Sequence, residues 1–104
     1  MFKIGNDIVL ISRIEKSIAN PHFLESVFTP CEREYCRTPQ SFAGIFAAKE
    51  ALFKALGTGI NRRLNTVELL HDAKGKPYFA DLRNCDVSIS HDGEYAFAVV
   101  ILWE

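Results

Sequence analysis

The chain has 104 residues, room for one domain (1–104) and not two, and a chain of this size buries roughly two-thirds of its unfolded surface. Its formal charge of −1 and pI near 6.3 give no field that would draw it to nucleic acid or a membrane surface, and no apolar run reaches membrane-spanning length. Cys31, Cys36 and Cys85 are odd in number and lack paired spacing, so neither a zinc site nor a disulfide framework is indicated; reduced thiols in a cytoplasmic protein are expected.

The first residues, MFKIGNDIVLISRIEKS, carry charges inside their apolar stretch, which argues against a signal peptide. Phe2 to Leu10 reads as a buried strand broken by one polar pair, Asn6-Asp7. Ser12-Arg13-Ile14-Glu15 has the form of a capping box, so a short helix is expected to start there. Asn20-Pro21 places a cap before a proline at the first helical position, and Thr29-Pro30-Cys31-Glu32 combines a proline with a second capping box.

A long helix is expected from Gln40 to Leu56. Phe42, Ile45, Phe46, Lys49, Leu52, Phe53 and Leu56 follow the helical period, and only Lys49 among them is polar. The opposite face carries Ala43, Ala47, Glu50 and Lys54, and Gly57 stands where a left-handed residue ends a helix. Beyond it the period changes. Thr66 to Leu70 and Tyr78 to Leu82 read as strands around a turn at Lys74-Gly75-Lys76-Pro77. Val87 and Ile89 alternate with Ser88 and Ser90, Asp92-Gly93 signals a hairpin, and Ala96 to Trp103 is almost wholly apolar. Strand, helices, then a strand meander describe an α+β domain, with one long helix packed on an antiparallel sheet.

Some residues in this pattern could carry chemistry. A carboxylate at Asp7, inside an apolar strand, requires a partner, either a group within the protein or a metal ion. Glu50 sits on the small-residue helix face, where it is either half of an exposed Glu–Lys pair or a second metal ligand. Two carboxylates from a strand and a helix suit Mg²⁺, which keeps most of its waters and takes phosphate oxygens into its shell. Lys54, one turn beyond Glu50, suits phosphate, and Gly57-Thr58-Gly59 offers backbone N–H groups without side-chain bulk. His91 stands at the mouth of the hairpin. A triad with Ser90 and Asp92 is rejected, because neighbours in a strand face opposite ways.

Together these segments resemble the 4′-phosphopantetheinyl transferases, in the short holo-[acyl-carrier-protein] synthase form. The resemblance is carried by Gly5-Asn6-Asp7-Ile8-Val9, Arg13-Ile14, Phe46 to Ala51 (FAAKEA), Lys54, Gly57 to Gly59, Gly75-Lys76-Pro77 and Val87 to His91, in family order over nearly the whole chain. It implies transfer of the phosphopantetheine arm of coenzyme A to a serine of an acyl carrier protein. By position, Asp7 and Glu50 would ligate Mg²⁺, Lys54 would neutralise phosphates, and Gly57, Gly59 and His91 would line the coenzyme A site. Glu50 would orient the base that takes the serine proton, with Asp92 as an additional acidic participant. The family forms trimers with sites at subunit interfaces, and the eight Phe, three Tyr and one Trp suit a chain that buries some aromatics in an interface. Arg13 and Lys16 form a basic edge expected to dock the acidic carrier.

There are departures from the family pattern. Ile45 stands where an arginine is usual, Asn6 where an apolar residue is usual, and the stretch from Tyr78 to Val87 is too short for the helix that many relatives place there. Leu82-Arg83-Asn84-Cys85 is therefore expected as a tight connection, with Arg62 or Arg63 compensating for the lost arginine. These departures motivate a second hypothesis, a carrier-binding module of the same fold with weak or lost transfer.

Overall fold

Ten hydrogen-bonded elements follow one another in the computed structural model, which describes residues 1–58 and 63–104. Strand β1 (Phe2–Leu10) leads into four helices, α1 (Ile11–Ile18), α2 (Pro21–Val27), α3 (Pro30–Tyr35) and the long α4 (Pro39–Leu56). A short 3-10 turn (Leu64–Thr66) precedes strands β2 (Leu69–His71), β3 (Pro77–Phe79), β4 (Cys85–Asp92) and β5 (Tyr95–Trp103). Antiparallel strands in the order β1-β5-β4 form the main sheet, and β2 and β3 form a separate hairpin.

The α+β expectation holds, and α4 is the element on which the sheet packs. Its alanines Ala43, Ala47, Ala51 and Ala55 are buried, as are Ala96, Ala98 and Val100 on the facing side of β5. Small residues on both surfaces let helix and sheet approach closely. Thr38 caps α4 by accepting from the Ser41 N–H at 3.1 Å, and Gly57 closes it at φ 72°. The cap at Asn20 and both halves of the Thr29–Glu32 capping box are also present.

Four local expectations need correction. The Ser12–Glu15 box does not start α1: the helix begins at Ile11, without a side-chain cap, because the Ile11 N–H donates to the Glu94 carbonyl at 2.8 Å. β1 has the expected bounds but is not buried, with only Gly5 and Val9 inside. One of its faces meets α4; the other leaves Phe2, Ile4 and Ile8 72%, 69% and 63% exposed. The strand expected over Thr66 to Leu70 is a 3-10 turn followed by three residues of β2, and β3 stops at Phe79 rather than Leu82. Its continuation ends where Asp81 and Asn84 adopt left-handed φ of 62° and 55°, the tight connection foreseen for this stretch.

Lys49, the one polar residue in the apolar row of α4, is completely buried. Its Nζ donates to Glu32 Oε1 at 2.6 Å and to the Val27 carbonyl at 2.7 Å. The Glu32 carboxylate also accepts from the N–H groups of Thr29 at 2.9 Å and Leu69 at 2.7 Å. One ion pair thus ties α2, α3, α4 and β2 together. Burial and the Glu32 charge push the neighbouring Cys36 thiol up to about 12, against the opposing pull of Lys49. Removing one partner of such a pair leaves an uncompensated buried charge. Lys49→Met is accordingly expected to lower stability by about 3–5 kcal/mol in urea unfolding, and adding Glu32→Gln to recover part of that loss. A cost below about 1 kcal/mol would contradict this account.

Candidate functional site

The site begins with a missing side chain. A Cβ on Gly5 would stand 2.0 Å from the Ala51 carbonyl oxygen and 2.6 Å from the Ala55 nitrogen, so only glycine lets the β1 backbone lie on that of α4. Strand alternation puts Gly5, Asp7 and Val9 on this same face. Asp7, paired in register with Ala98, therefore comes up beside the flank of α4 from which Glu50 and Lys54 emerge.

Lys54 Nζ lies 3.0 Å from Asp7 Oδ1, with the lysine side chain 54% and the aspartate 16% exposed. Glu50 is half-buried, and its carboxyl is held above the ordinary value by burial and then by the Asp7 charge. Lys54 and Arg13 oppose that rise. Two carboxylates are thus held close enough to repel, with one exposed ammonium and one guanidinium beside them. A divalent cation fits such a donor pair when water and phosphate oxygens supply the remaining positions. Among the described residues no three His, Cys, Asp or Glu side chains cluster as a self-sufficient metal cage. Lys54, being exposed, is free to leave Asp7 for a phosphate.

Arg13 and Lys16 are exposed on α1, and Arg13 reaches the field of Glu50. Among the described residues, no atom comes within 4 Å of the place a Cβ on Gly57 would take. Gly59 and Arg62 lie outside the described residues. Arg63 is exposed, its carbonyl accepting from the Thr66 N–H and hydroxyl. Asn6 occupies the exposed outer face of β1, turned away from Asp7 and its partners.

His91 does not join this group within one chain. The His91 ring pairs with the Gln40 carbonyl at 3.2 Å, at the opposite end of α4 from Lys54. At 1.5 Å per helical residue, Glu50 lies about 15 Å further along the axis than Gln40, and Lys54 about 21 Å. His91 instead borders a separate cleft of about 200 Å³, whose walls include Tyr35, Ile45 and His71. Gly44 makes room there, since a Cβ on it would come within 3.0 Å of both His91 Nε2 and Ile89. Tyr35 and His71 stack with ring centroids 3.9 Å apart. Sequence reasoning assigned neither residue a role, because their pairing joins α3 to β2.

The comparisons with known proteins agree with one another. The family model of the 4′-phosphopantetheinyl transferase superfamily matches residues 3–100. The holo-[acyl-carrier-protein] synthase of Fusobacterium nucleatum subsp. nucleatum is 40% identical over 117 residues, covering 95% of this chain and 96% of that protein. The enzyme of the same name from Nautilia profundicola is 42% identical over 110 residues, covering 95% and 97%. Among solved structures, the Helicobacter pylori holo-[acyl-carrier-protein] synthase in complex with coenzyme A superposes with a TM-score of 0.86 at 36% identity, covering 96% of this chain and 99% of that one. The Bacillus anthracis synthase, in complex with CoA (3′,5′-ADP), gives 0.84 at 37% identity, covering 96% and 94%. With its strand aspartate, helix glutamate and lysine gathered at one point of this fold, the chain belongs to the 4′-phosphopantetheinyl transferase superfamily, among the holo-[acyl-carrier-protein] synthases.

Proposed function

We propose that this chain transfers the 4′-phosphopantetheine arm of coenzyme A to a serine of an apo acyl carrier protein in the cytoplasm. The observation that carries the reading is the convergence of Asp7, Glu50 and Lys54 where β1 crosses α4. The serine oxygen forms a bond to the phosphorus nearer the pantetheine, the pyrophosphate P–O bond breaks, and adenosine 3′,5′-bisphosphate leaves. Such a reaction needs positioning and charge stabilisation more than a nucleophile of the enzyme's own. Asp7 and Glu50 would hold Mg²⁺, which when bound neutralises charge on the pyrophosphate. Lys54 moves from Asp7 to the phosphates, Gly57 leaves space for them, and Glu50 orients the base for the serine proton. The basic edge of Arg13 and Lys16 receives the acidic carrier beside these groups.

We further propose a homotrimer with sites at subunit boundaries. The outer face of the sheet supports association: Phe2 is in register with Trp103, Ile4 with Ile101 and Ile8 with Phe97, and most of these side chains are exposed. A contiguous apolar surface of this kind marks an interaction site. The separation of His91 from Glu50 along α4 supports a shared site, in which His91 of one subunit serves coenzyme A bound to the next.

Glu50→Gln is expected to lower release of adenosine 3′,5′-bisphosphate by about 10²–10³-fold while the chain stays folded; full activity would remove Glu50 from the mechanism. Because the folded protein holds the Glu50 proton above its ordinary value of 4.5, it binds more protons there than the unfolded chain. Stability from this group is therefore present at low pH and lost as pH rises through the raised value. Metal-free Glu50→Gln should accordingly melt about 2–4 °C above the unmodified protein near neutral pH. The difference should vanish in acid, and an equal or lower melting temperature near neutral pH would contradict the repulsion. The assembly should sediment at about three times the 11.7 kDa chain mass. Mixed and reassembled Glu50→Gln and His91→Ala subunits should regain transfer that neither variant has alone. Failure to regain it would place His91 outside a shared site.

A further inference from the structure

The outer face of the main sheet is apolar along β1 except at one position. Phe2, Ile4, Asn6 and Ile8 point the same way from that strand, and all are exposed. Across the sheet, Asn6 is in register with Val99 of β5, and Val99 with Ser88 of β4. Ser88 is exposed as well, and with Pro77, Val99 and Ile101 it borders a hollow of about 310 Å³. Lys76 and Asp86, paired at 2.7 Å, also border it. The order β1-β5-β4 sets this hollow and the β1 side chains toward opposite edges of one face.

A head-to-tail contact joins two different patches of one chain, and such contacts close into a ring when the rotation permits. Three copies of this sheet, set as the sides of a prism with strands along its axis, would put each β5 innermost. Each β1 edge would then meet the β4 edge of the next copy. Rotation about an axis parallel to the strands keeps every residue at its own height. Residues that share a row within one chain therefore meet across the boundary between two, and Asn6 and Ser88 share such a row. An asparagine amide buried among apolar neighbours needs a partner, and a serine hydroxyl can both donate to it and accept from it. We propose that the Asn6 amide of one copy hydrogen-bonds the Ser88 hydroxyl of the next, seating β1 in the hollow and fixing the register of association. One polar pair in an apolar contact sets register because a slip along the strand leaves both groups unpaired. The pairing rests on the homotrimer reading for its partner.

Sedimentation over a dilution series tests it. Both residues are exposed in the single chain, so substituting them leaves the fold intact. Asn6→Leu and Ser88→Ala each leave the other group without its partner at every boundary. A roughly tenfold penalty at each boundary multiplies the trimer's dissociation constant about 10³-fold and raises the concentration at half-dissociation about 30-fold. The double variant removes both polar groups and should return to within about 3-fold of the unmodified protein. Equal midpoints in all variants, or losses that add in the double variant, would overturn the contact. Disulfide trapping needs no dissociation. After oxidation, a chain carrying both Asn6→Cys and Ser88→Cys should run as a covalent trimer in a denaturing gel, and either single variant as a monomer. A double variant that sediments as a trimer yet cross-links no more than the single variants would overturn the contact alone. An unmodified protein that does not sediment as a trimer would overturn the homotrimer together with the contact.

Discussion

Everything in this site depends on the contact between two backbones. β1 lies on α4 where Gly5 meets the Ala51 carbonyl and the Ala55 N–H, and no side chain fits between them. That contact, with the pleat of the strand, brings the Asp7 carboxylate to the turn of α4 that bears Glu50 and Lys54. A methyl group at residue 5 would push the strand outward and separate the two carboxylates that are proposed to share one ion. Gly5-Asn6-Asp7 is thus a spacing device as well as a sequence motif. The alanines of α4 extend the same logic across the sheet, meeting Ala96 and Ala98 of β5.

Charge is handled in opposite ways at two neighbouring residues of α4. Lys49 is buried with its charge answered by Glu32, which is itself satisfied by two backbone N–H groups. This is a completed network, and its work is to join helices and hairpin. Glu50, the next residue, faces Asp7 with its charge only partly answered by Lys54 and Arg13. Such incomplete compensation is costly in the free protein and is what a cation and a pyrophosphate would relieve. One helix therefore carries a scaffold on one face and a receptive site on another, with the close-packed scaffold holding the site in place.

Much of this was legible in the residues, where the determining interactions are local. The capping box at Thr29, the left-handed Gly57, the turns at Gly75 and Gly93 and the length of α4 all follow from hydrogen bonds or φ restrictions within a few positions. The false start at Ser12 shows the limit. The Ile11 N–H finds the Glu94 carbonyl across the fold, so the helix begins earlier and the nearby box is not used. Lys49 looked like an interruption of an apolar stripe because Glu32 lies 17 residues away. The stacking of Tyr35 on His71 had no signature at all, since its partners belong to separate elements. Asp7, Glu50 and Lys54, expected in one site, lie together at the β1–α4 crossing, whereas His91 lies at the other end of α4 within the chain. Only the geometry of the folded chain separates the two clusters along α4.

The central claim is that the charges gathered at the β1–α4 crossing carry out group transfer to a carrier protein. Its most direct test is the intact mass of an apo acyl carrier protein after incubation with this protein, coenzyme A and Mg²⁺. The account predicts a gain of one phosphopantetheine arm, abolished by a chelator and restored by added Mg²⁺. An unchanged carrier mass across several apo carriers, with carrier binding intact, would contradict it and leave a binding module in place of the enzyme.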